Sequence, residues 1–480
     1  MPTNLRQLLP VSLLALAGCT HPTPDNVALT AGALPGRTPT SFATGADNET
    51  AVVSGWLATF GDAQLEKLVT EALVGNRDLA AMSARLDQAA ARARQAGADL
   101  KPQVSLAASA DSARGASAPR TEKMGAGLSL SWEFDVWGRL SAGQAAAKEQ
   151  YASTAADLDF ARQSLAAQVA KGWFLAIQAV QQEAIVTQSA ALQKRNAELV
   201  AKRQRVGRAT ALDVAQARAA AATAEDAVQQ AVSGRENAAR SLELLLGRYP
   251  SAELTIAATL PALPPMPPAG LPTQLLERRP DLIAATRRVA VAFNQVESAK
   301  AARLPRFAIT ANAGAVSQDF KSMSLNSAFW SLGANLLGPI YSGGRLQEQV
   351  VIETAKQQEA LALYGKAALE AFRQVEQALA ESRRLAARLE LLSAAEKAQN
   401  EAERLTQARL EAGAIDQLAV ILVQERALQA RLARLAIQVE GLTNRVNLHL
   451  SLGGGFEAPT PTAEDLAPAS KAVTAGKPKL

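Results

Sequence analysis

Side chains able to do covalent or acid–base chemistry are scarce in this chain. Its 480 residues include two histidines, His21 and His449, and one cysteine, Cys19. A metal centre needs several Cys, His or carboxylate ligands converging on one point, and a nucleophile needs a base beside it. His21 lies next to the N-terminus. His449 falls near the C-terminal end of an expected helix, where an imidazole commonly makes a dipole contact. Neither a metal cluster nor a nucleophile–histidine pair follows, so the expectation is a protein that is not an enzyme and holds no cofactor or metal.

The cysteine has another use. Arg6 is followed by an apolar run from Leu8 to Ala17, then Gly18 and Cys19. That is a charged start, an apolar stretch too short to span a bilayer, and small residues at a cut site. Leu16-Ala17-Gly18-Cys19 resembles the bacterial lipobox, which implies removal of residues 1–18 as a signal peptide and lipidation of the Cys19 thiol. A single cysteine in an exported chain cannot form an internal disulfide. Each buried acyl CH₂ contributes ~0.8 kcal/mol, so acyl chains would tether the mature protein to a membrane. Thr20, in place of an aspartate, resembles lipoproteins sent to the outer membrane. Residues 19–54, rich in Pro, Thr, Gly and Asn, read as an extended, lipidated arm.

Composition points to helices. Apolar residues make up 48% of the chain but aromatics only 4%, and alanine dominates the apolar share. Alanine is the best helix former and lets helices approach closely. The net charge of +5 is modest, and no Lys/Arg block is interleaved with aromatics, so no nucleic-acid partner is expected.

Two kinds of element must carry whatever function remains. The first repeat, 55–247, opens with a helix expected to run to about Leu100, where Lys101-Pro102 ends it. A β-hairpin over 103–134 follows. In its second strand Leu128, Leu130, Trp132 and Phe134 alternate with Ser129, Ser131 and Glu133, giving one apolar and one polar face. A long helical hairpin, 139–247, turns at Gly207. Its first arm would be on the order of 95 Å long at ~1.5 Å per residue, too long for a globular core, so it must pack along partner helices.

A proline-rich linker, 248–273, separates this from a second repeat, 274–453. There a helix, a β-hairpin over 306–340 and a helical hairpin over 345–450 recur. Asp78-Leu79 matches Asp281-Leu282 and Pro102 matches Pro305, each 203 residues on; Gly138-Arg139-Leu140 matches Gly344-Arg345-Leu346 and Gly207 matches Gly413, each 206 residues on. Constant offsets argue for internal two-fold duplication. Phe372, Val375, Leu379, Ser382, Ala386 and Leu389 keep the three–four spacing of a coiled coil. The tail, 454–480, reads as disordered.

Strands of this length, ~9–11 residues, cross a bilayer when tilted. Four of them cannot close a barrel, and an open edge in lipid leaves backbone groups unsatisfied, so two or more chains must share one barrel, their number left open. The fold class is therefore a mixed α/β membrane protein, mostly long helical coiled-coil hairpins with a four-strand share of a β-barrel. Trp132, Trp137, Phe329, Trp330 and Tyr341, near strand ends, fit an aromatic girdle.

Longer motifs add a resemblance. LPTQLLERRPDLIAA (271–285) with ESAKAARLPRF (297–307), and the junctions WEFDVWGR (132–139) and GPIYSGGRL (338–346), resemble TolC/OprM-type outer-membrane efflux channels, close to the NodT-type lipoprotein subgroup. Trp56, Phe60 and Asp62 match the opening of that family's first helix. RQRVGRATALDV (203–214) and RLEAGAIDQL (409–418) resemble its two hairpin tips. The match runs in order from Ser54 to Gly453.

The resemblance implies a homotrimer with a twelve-strand barrel in the outer membrane and a helical barrel crossing the periplasm to a closed tip. It implies a periplasmic adaptor and an inner-membrane, proton-driven pump, with export of small molecules such as drugs. On that basis Leu128, Leu130, Trp132, Ile309 and Leu336 face outer-membrane lipid, while Ser129, Ser131, Glu133, Asn312 and Asn335 face a wet lumen. Leu418 sits at the family's apolar gate ring and Arg409 at its tip arginine. The family's usual tyrosine and gate aspartate fall on Leu410 and Leu422, which implies leucine rings, with Asp416 and Glu411 nearby. Arg203, Gly207, Asp213 and Gly413 would meet the adaptor. The alternatives are a protein-secretion channel of the same fold and a lipid-anchored periplasmic coiled-coil scaffold without a pore.

Overall fold

A computed structural model describes residues 25–34, 41–43, 54–113, 121–317 and 327–456. Cys19, the expected signal peptide 1–18 and the tail from 457 onward lie outside the described residues. In chain order the elements are α1 (Asn26–Ala31), a 3₁₀ turn (Trp56–Phe60), α2 (Ala63–Gly75), α3 (Arg77–Ala98), β1 (Gln103–Ala113), β2 (Thr121–Phe134), α4 (Arg139–Arg205), α5 (Ala211–Leu246), α6 (Pro272–Arg278), α7 (Pro280–Ala301), β3 (Arg306–Ser317), β4 (Ser327–Leu337), α8 (Arg345–Glu411) and α9 (Gln417–Ser451). No described helix is long and apolar enough to cross a membrane. The described residues group into two compact units, one within Met1–Arg37, Ser83–Leu158 and Asp281–Ala368, the other within Thr38–Met82, Asp159–Pro280 and Leu369–Leu480.

The first unit holds an antiparallel sheet in the order β1-β2-β3-β4. Directly opposed residues share a face. Val104 opposes Leu130 and Leu106 opposes Leu128. Trp132 opposes Ile309, Leu130 opposes Ala311, and Leu336 opposes Phe307. One face is thereby apolar over all four strands and includes Leu128, Leu130, Trp132, Ile309, Trp330 and Leu336. The other carries Ser129, Ser131, Glu133, Thr310, Asn312 and Asn335, and on it Asn335 Nδ2 donates to Thr310 Oγ1 at 3.2 Å. Phe329 departs from the expected girdle. It opposes Gly314 and so lies on the polar face, opposite to Trp330.

Gly127 and Gly314 face each other across β2 and β3. A Cβ on Gly314 would come within 2.5 Å of Ala126 O and 2.7 Å of Gly127 Cα, so the backbones meet where no side chain fits. Helical packing in this unit is close because small residues line it: Ala142, Ala146, Ala284, Ala290 and Ala368 are buried. Ser153 Oγ donates to Ala284 O at 3.1 Å, and Arg287 and Arg288 pair with Glu149 and Asp157, which fixes α4 against α7. The arm expected to be extended contains α1. It lies on α8, where a Cβ on Gly365 would come within 2.5 Å of Ala33 O and where Tyr364 hydrogen-bonds Thr30 and Thr286.

The second unit is centred on the aromatics of its first turn. Trp56, Phe60, Trp173 and Phe174 are buried. Asp62 caps α2, accepting from the Gln64 and Leu65 N–H groups at 3.0 Å each, and its second oxygen accepts from Trp173 Nε1 at 2.8 Å. The single helix expected up to Leu100 is two helices. At the break Asn76 Oδ1 accepts from Leu79 N–H at 3.0 Å and Asn76 Nδ2 donates to Leu245 O at 2.9 Å. A Cβ on Gly75 would sit 2.3 Å from Leu246 O, so the end of α5 occupies the place a continuous helical surface would need.

Candidate functional site

The first strand-to-helix junction is built by four side chains. Asp135 accepts from the Leu140 and Ser141 N–H groups at 2.9 and 2.7 Å, supplying acceptors where the first turn of α4 has orphan donors. Arg139 donates to both oxygens of Glu133 at 2.9 Å, joining the helix start to the polar sheet face. Trp137 Nε1 donates to Pro305 O at 2.7 Å. Gly138 takes the turn at φ 73°, where a Cβ would be strained. The second junction has glycines in the same left-handed region, Gly343 and Gly344, but its apolar side chains are bare: Ile340 and Tyr341 are 103% and 90% exposed.

The two helical turns in the second unit share one geometry. After α4, Gly207 has φ 72° and Arg208 N–H donates to Arg203 O at 2.8 Å. After α8, Gly413 has φ 72° and Ala414 N–H donates to Arg409 O at 2.9 Å. Both helices end in a left-handed glycine cap. Thr210 then caps α5 in a reciprocal box with Asp213, and Asp416 caps α9 by accepting from Ala419 N–H at 3.1 Å. The Thr210 backbone and hydroxyl hold the Asp213 carboxyl below its ordinary range.

Across these turns Arg203 Nη2 donates to Asp416 Oδ2 at 3.0 Å. That bond, with the Ala419 N–H, holds the Asp416 carboxyl below its usual range, so it stays charged near neutrality. Leu418 is half-buried and lines a depression of about 80 Å³ with Asn196, Leu199, Val200, Arg203 and Gln417. The structure thus brings Arg203, Asp416 and Leu418 together. Arg409, Asp213, Gly207 and Gly413 are exposed at the turns, and Leu422 is exposed one turn beyond Leu418.

Three features escaped the sequence reading. The Arg203–Asp416 pair joins residues 213 apart, with no local signal. Glu243, buried in the run SLELLLG, accepts from the Ala252, Glu253 and Leu254 N–H groups at 2.8, 2.9 and 3.0 Å and so folds the start of the linker; an acid alone in an apolar stretch was its one clue. His449 is no charged contact at a helix end. It is buried and stacked on Trp56 with ring centroids 5.8 Å apart, and burial, with Arg445 nearby, pushes its pKa down to about 4.

Residues 68–248 and 271–454 match the family described as outer membrane efflux protein. The pyoverdine export outer membrane protein OpmQ of Pseudomonas putida is 31% identical, over 95% of this chain and 98% of its own. The cation efflux system protein CusC of Escherichia coli is 28% identical, over 84% and 89%. Among solved structures the outer-membrane channel OprN superposes with a TM-score of 0.79 at 27% identity, over 92% of this chain and 99% of that one. With the family matched on either side of the proline-rich linker, this chain belongs to the outer membrane efflux protein family.

Proposed function

We propose that this protein is the exit duct of a tripartite efflux system, a homotrimer whose twelve strands close one barrel in the bacterial outer membrane. The observation that carries this reading is the sheet: one apolar face across four strands, with β1 and β4 as its two edge strands among the described residues. In lipid such edges must be satisfied by other copies. The two edges are different strands, so the contact repeats head to tail, and a head-to-tail contact whose rotation closes makes a ring. Leu128, Leu130, Trp132, Ile309 and Leu336 then face lipid, and Ser129, Ser131, Glu133, Asn312 and Asn335 face the lumen.

The two glycine-capped turns, alike in geometry and 206 residues apart, support internal duplication and form the periplasmic tip. Three copies of Leu418 and Leu422 around the axis would make apolar constrictions, with Arg409 and Asp416 as charged rings beside them. Arg203, Gly207, Asp213 and Gly413 present the turns to a periplasmic adaptor, through which a proton-driven inner-membrane pump delivers its cargo. Lipid on Cys19, exposed by removal of residues 1–18, anchors the arm. The cargo is a small molecule. The relatives named for pyoverdine export and for cation efflux favour such cargo, drugs among it, over a secreted protein.

Outer-membrane fractions test the assembly. The protein should fractionate with the outer membrane, migrate faster unheated than boiled, and have about three times the protomer mass in detergent. A water-soluble species of protomer mass, with no heat-dependent shift, would overturn the barrel.

A further inference from the structure

Arg139 stands where the polar face of the sheet passes into the helices. Its guanidinium donates to both oxygens of Glu133 at 2.9 Å, and it also lines a cavity of about 510 Å³ bounded by α3, α4, α7 and α8. The cavity floor is small and apolar, with Ala89 and Ala146 buried in it, and its charged lining is Arg92, Arg139, Glu353 and Lys356. By register, the charged residues on the polar face of the sheet are Asp111, Lys123, Glu133 and Arg306. The Arg139–Glu133 bond joins the two sets into one surface. Arg306 opens β3, and Arg92 lies six residues before the end of α3, ~9 Å along the helix axis.

Most of these charges cancel locally. Lys123 opposes Asp111 across β1 and β2, Arg139 pairs with Glu133, and Lys356 Nζ lies 3.0 Å from Glu353 Oε1. Arg92 and Arg306 are left over: both are exposed, and neither has a carboxylate partner among the described residues. The repeat isolates the same two residues. Counting 203 residues on, Arg92 falls on Gln295 and Gln103 falls on Arg306. Gln295 lines the same cavity, and Gln103 opens β1 as Arg306 opens β3. Each repeat thus supplies one arginine where the other has a neutral glutamine, so the charge itself is not a requirement of the helix or of the strand.

We infer that Arg92 and Arg306 form an anion-selecting collar on the lumen wall, and that the cargo it favours is an organic anion, a small molecule bearing carboxylate, sulfonate or phosphate groups. This rests on the channel reading and narrows the cargo within it. The polar face and the cavity then line water, and three copies set six uncompensated guanidinium groups around one axis. A passage lined by one sign of charge between low-dielectric walls concentrates ions of the opposite sign and excludes those of its own. A guanidinium also presents a planar fork of donors that matches a carboxylate or a phosphate. The alanine floor leaves room beside it for the apolar body of such a molecule. The field reaches about one Debye length, ~30 Å in 0.01 M salt and ~3 Å in 1 M, so the preference must fade as salt rises.

Ion selectivity of the full-length protein in planar bilayers tests the collar. Reversal potentials are read in a potassium chloride gradient, and then with sodium benzenesulfonate or benzyltrimethylammonium chloride on one side. At ~0.01 M salt chloride should be at least about twofold more permeant than potassium, and the preference should vanish at ~1 M. Benzenesulfonate should likewise be more permeant than benzyltrimethylammonium. Arg92→Gln with Arg306→Gln, which gives each repeat the residue of the other, should bring the chloride-to-potassium ratio toward one. Each single variant should give part of that loss, and the pair of them serves where the double variant does not assemble. The tip, with Arg409 and Asp416, is the same in all these proteins, so the differences among them belong to the collar. A parent that prefers potassium or neither ion, or a preference that the variants keep unchanged, overturns the collar and leaves the channel standing. A protein that never conducts overturns both.

Discussion

Arg203 Nη2 lies 3.0 Å from Asp416 Oδ2 and ties the turn after α4 to the turn after α8 within one chain. Both groups are substantially exposed, so the pair is worth ~1 kcal/mol or less. If the turns form the proposed periplasmic tip, a link of that size would bias its closed arrangement by about fivefold per chain.

Removing it should raise the open probability of the channel. Arg203→Ala is expected to do so by about fivefold or less per chain, read as the open fraction in single-channel records. Asp416→Asn keeps an N-cap acceptor and should act in the same direction. An unchanged open fraction in both variants would mean that the pair does not hold the tip.

Acid should destabilise the second unit through His449. Its folded pKa, about 4, is below the ordinary 6.5, so the unfolded chain binds the proton more readily. Its contribution to stability is complete above pH 6.5 and is lost as pH falls toward 4, at most about 3 kcal/mol over the window. His449→Phe keeps a ring on Trp56 and should flatten this part of the pH dependence of the denaturation midpoint. An equal acid loss in the variant would assign the effect to other groups.

The paired glycines of the sheet make an ordered prediction. Gly314→Ala puts a Cβ 2.5 Å from Ala126 O, and Gly127→Ala puts one 3.0 Å from Ala313 O. Overpacking of this kind costs about 1–3 kcal/mol, and the glycine at position 314 has less room. Recovery of heat-modifiable protein should therefore fall further for Gly314→Ala than for Gly127→Ala. The reverse order would contradict the registration of β2 on β3.

Glu243 should matter as much as an aromatic anchor. Glu243→Ala leaves three N–H groups without their acceptor, at about 2–4 kcal/mol. Glu243→Gln keeps an oxygen and should lose about half as much. The check is the shift in denaturation midpoint, with proteolysis near residue 252 reporting release of the linker.

Patterns with a period were legible in the sequence. Leu128 to Phe134 alternate, and the strand they form has the expected two faces; Gly207 and Gly413 break the helical runs where the turns lie. Contacts between distant segments were not. Helical leucine spacing continues through Asn76, and nothing local announces that α5 ends against Gly75. Phe329 reads like its neighbour Trp330, but one residue of offset puts it on the other face. The single histidine near a helix end could be placed in sequence, while its burial depended on Trp56 almost four hundred residues earlier.

These strands are proposed to form a conducting barrel closed at its tip. Single-channel recording of the purified protein in planar bilayers tests it most directly, with Leu418→Ser recorded beside the parent. Small, rare openings are expected for the parent and longer or larger ones for Leu418→Ser. A protein that never conducts would contradict the barrel, and identical records from the two proteins would remove Leu418 from the gate.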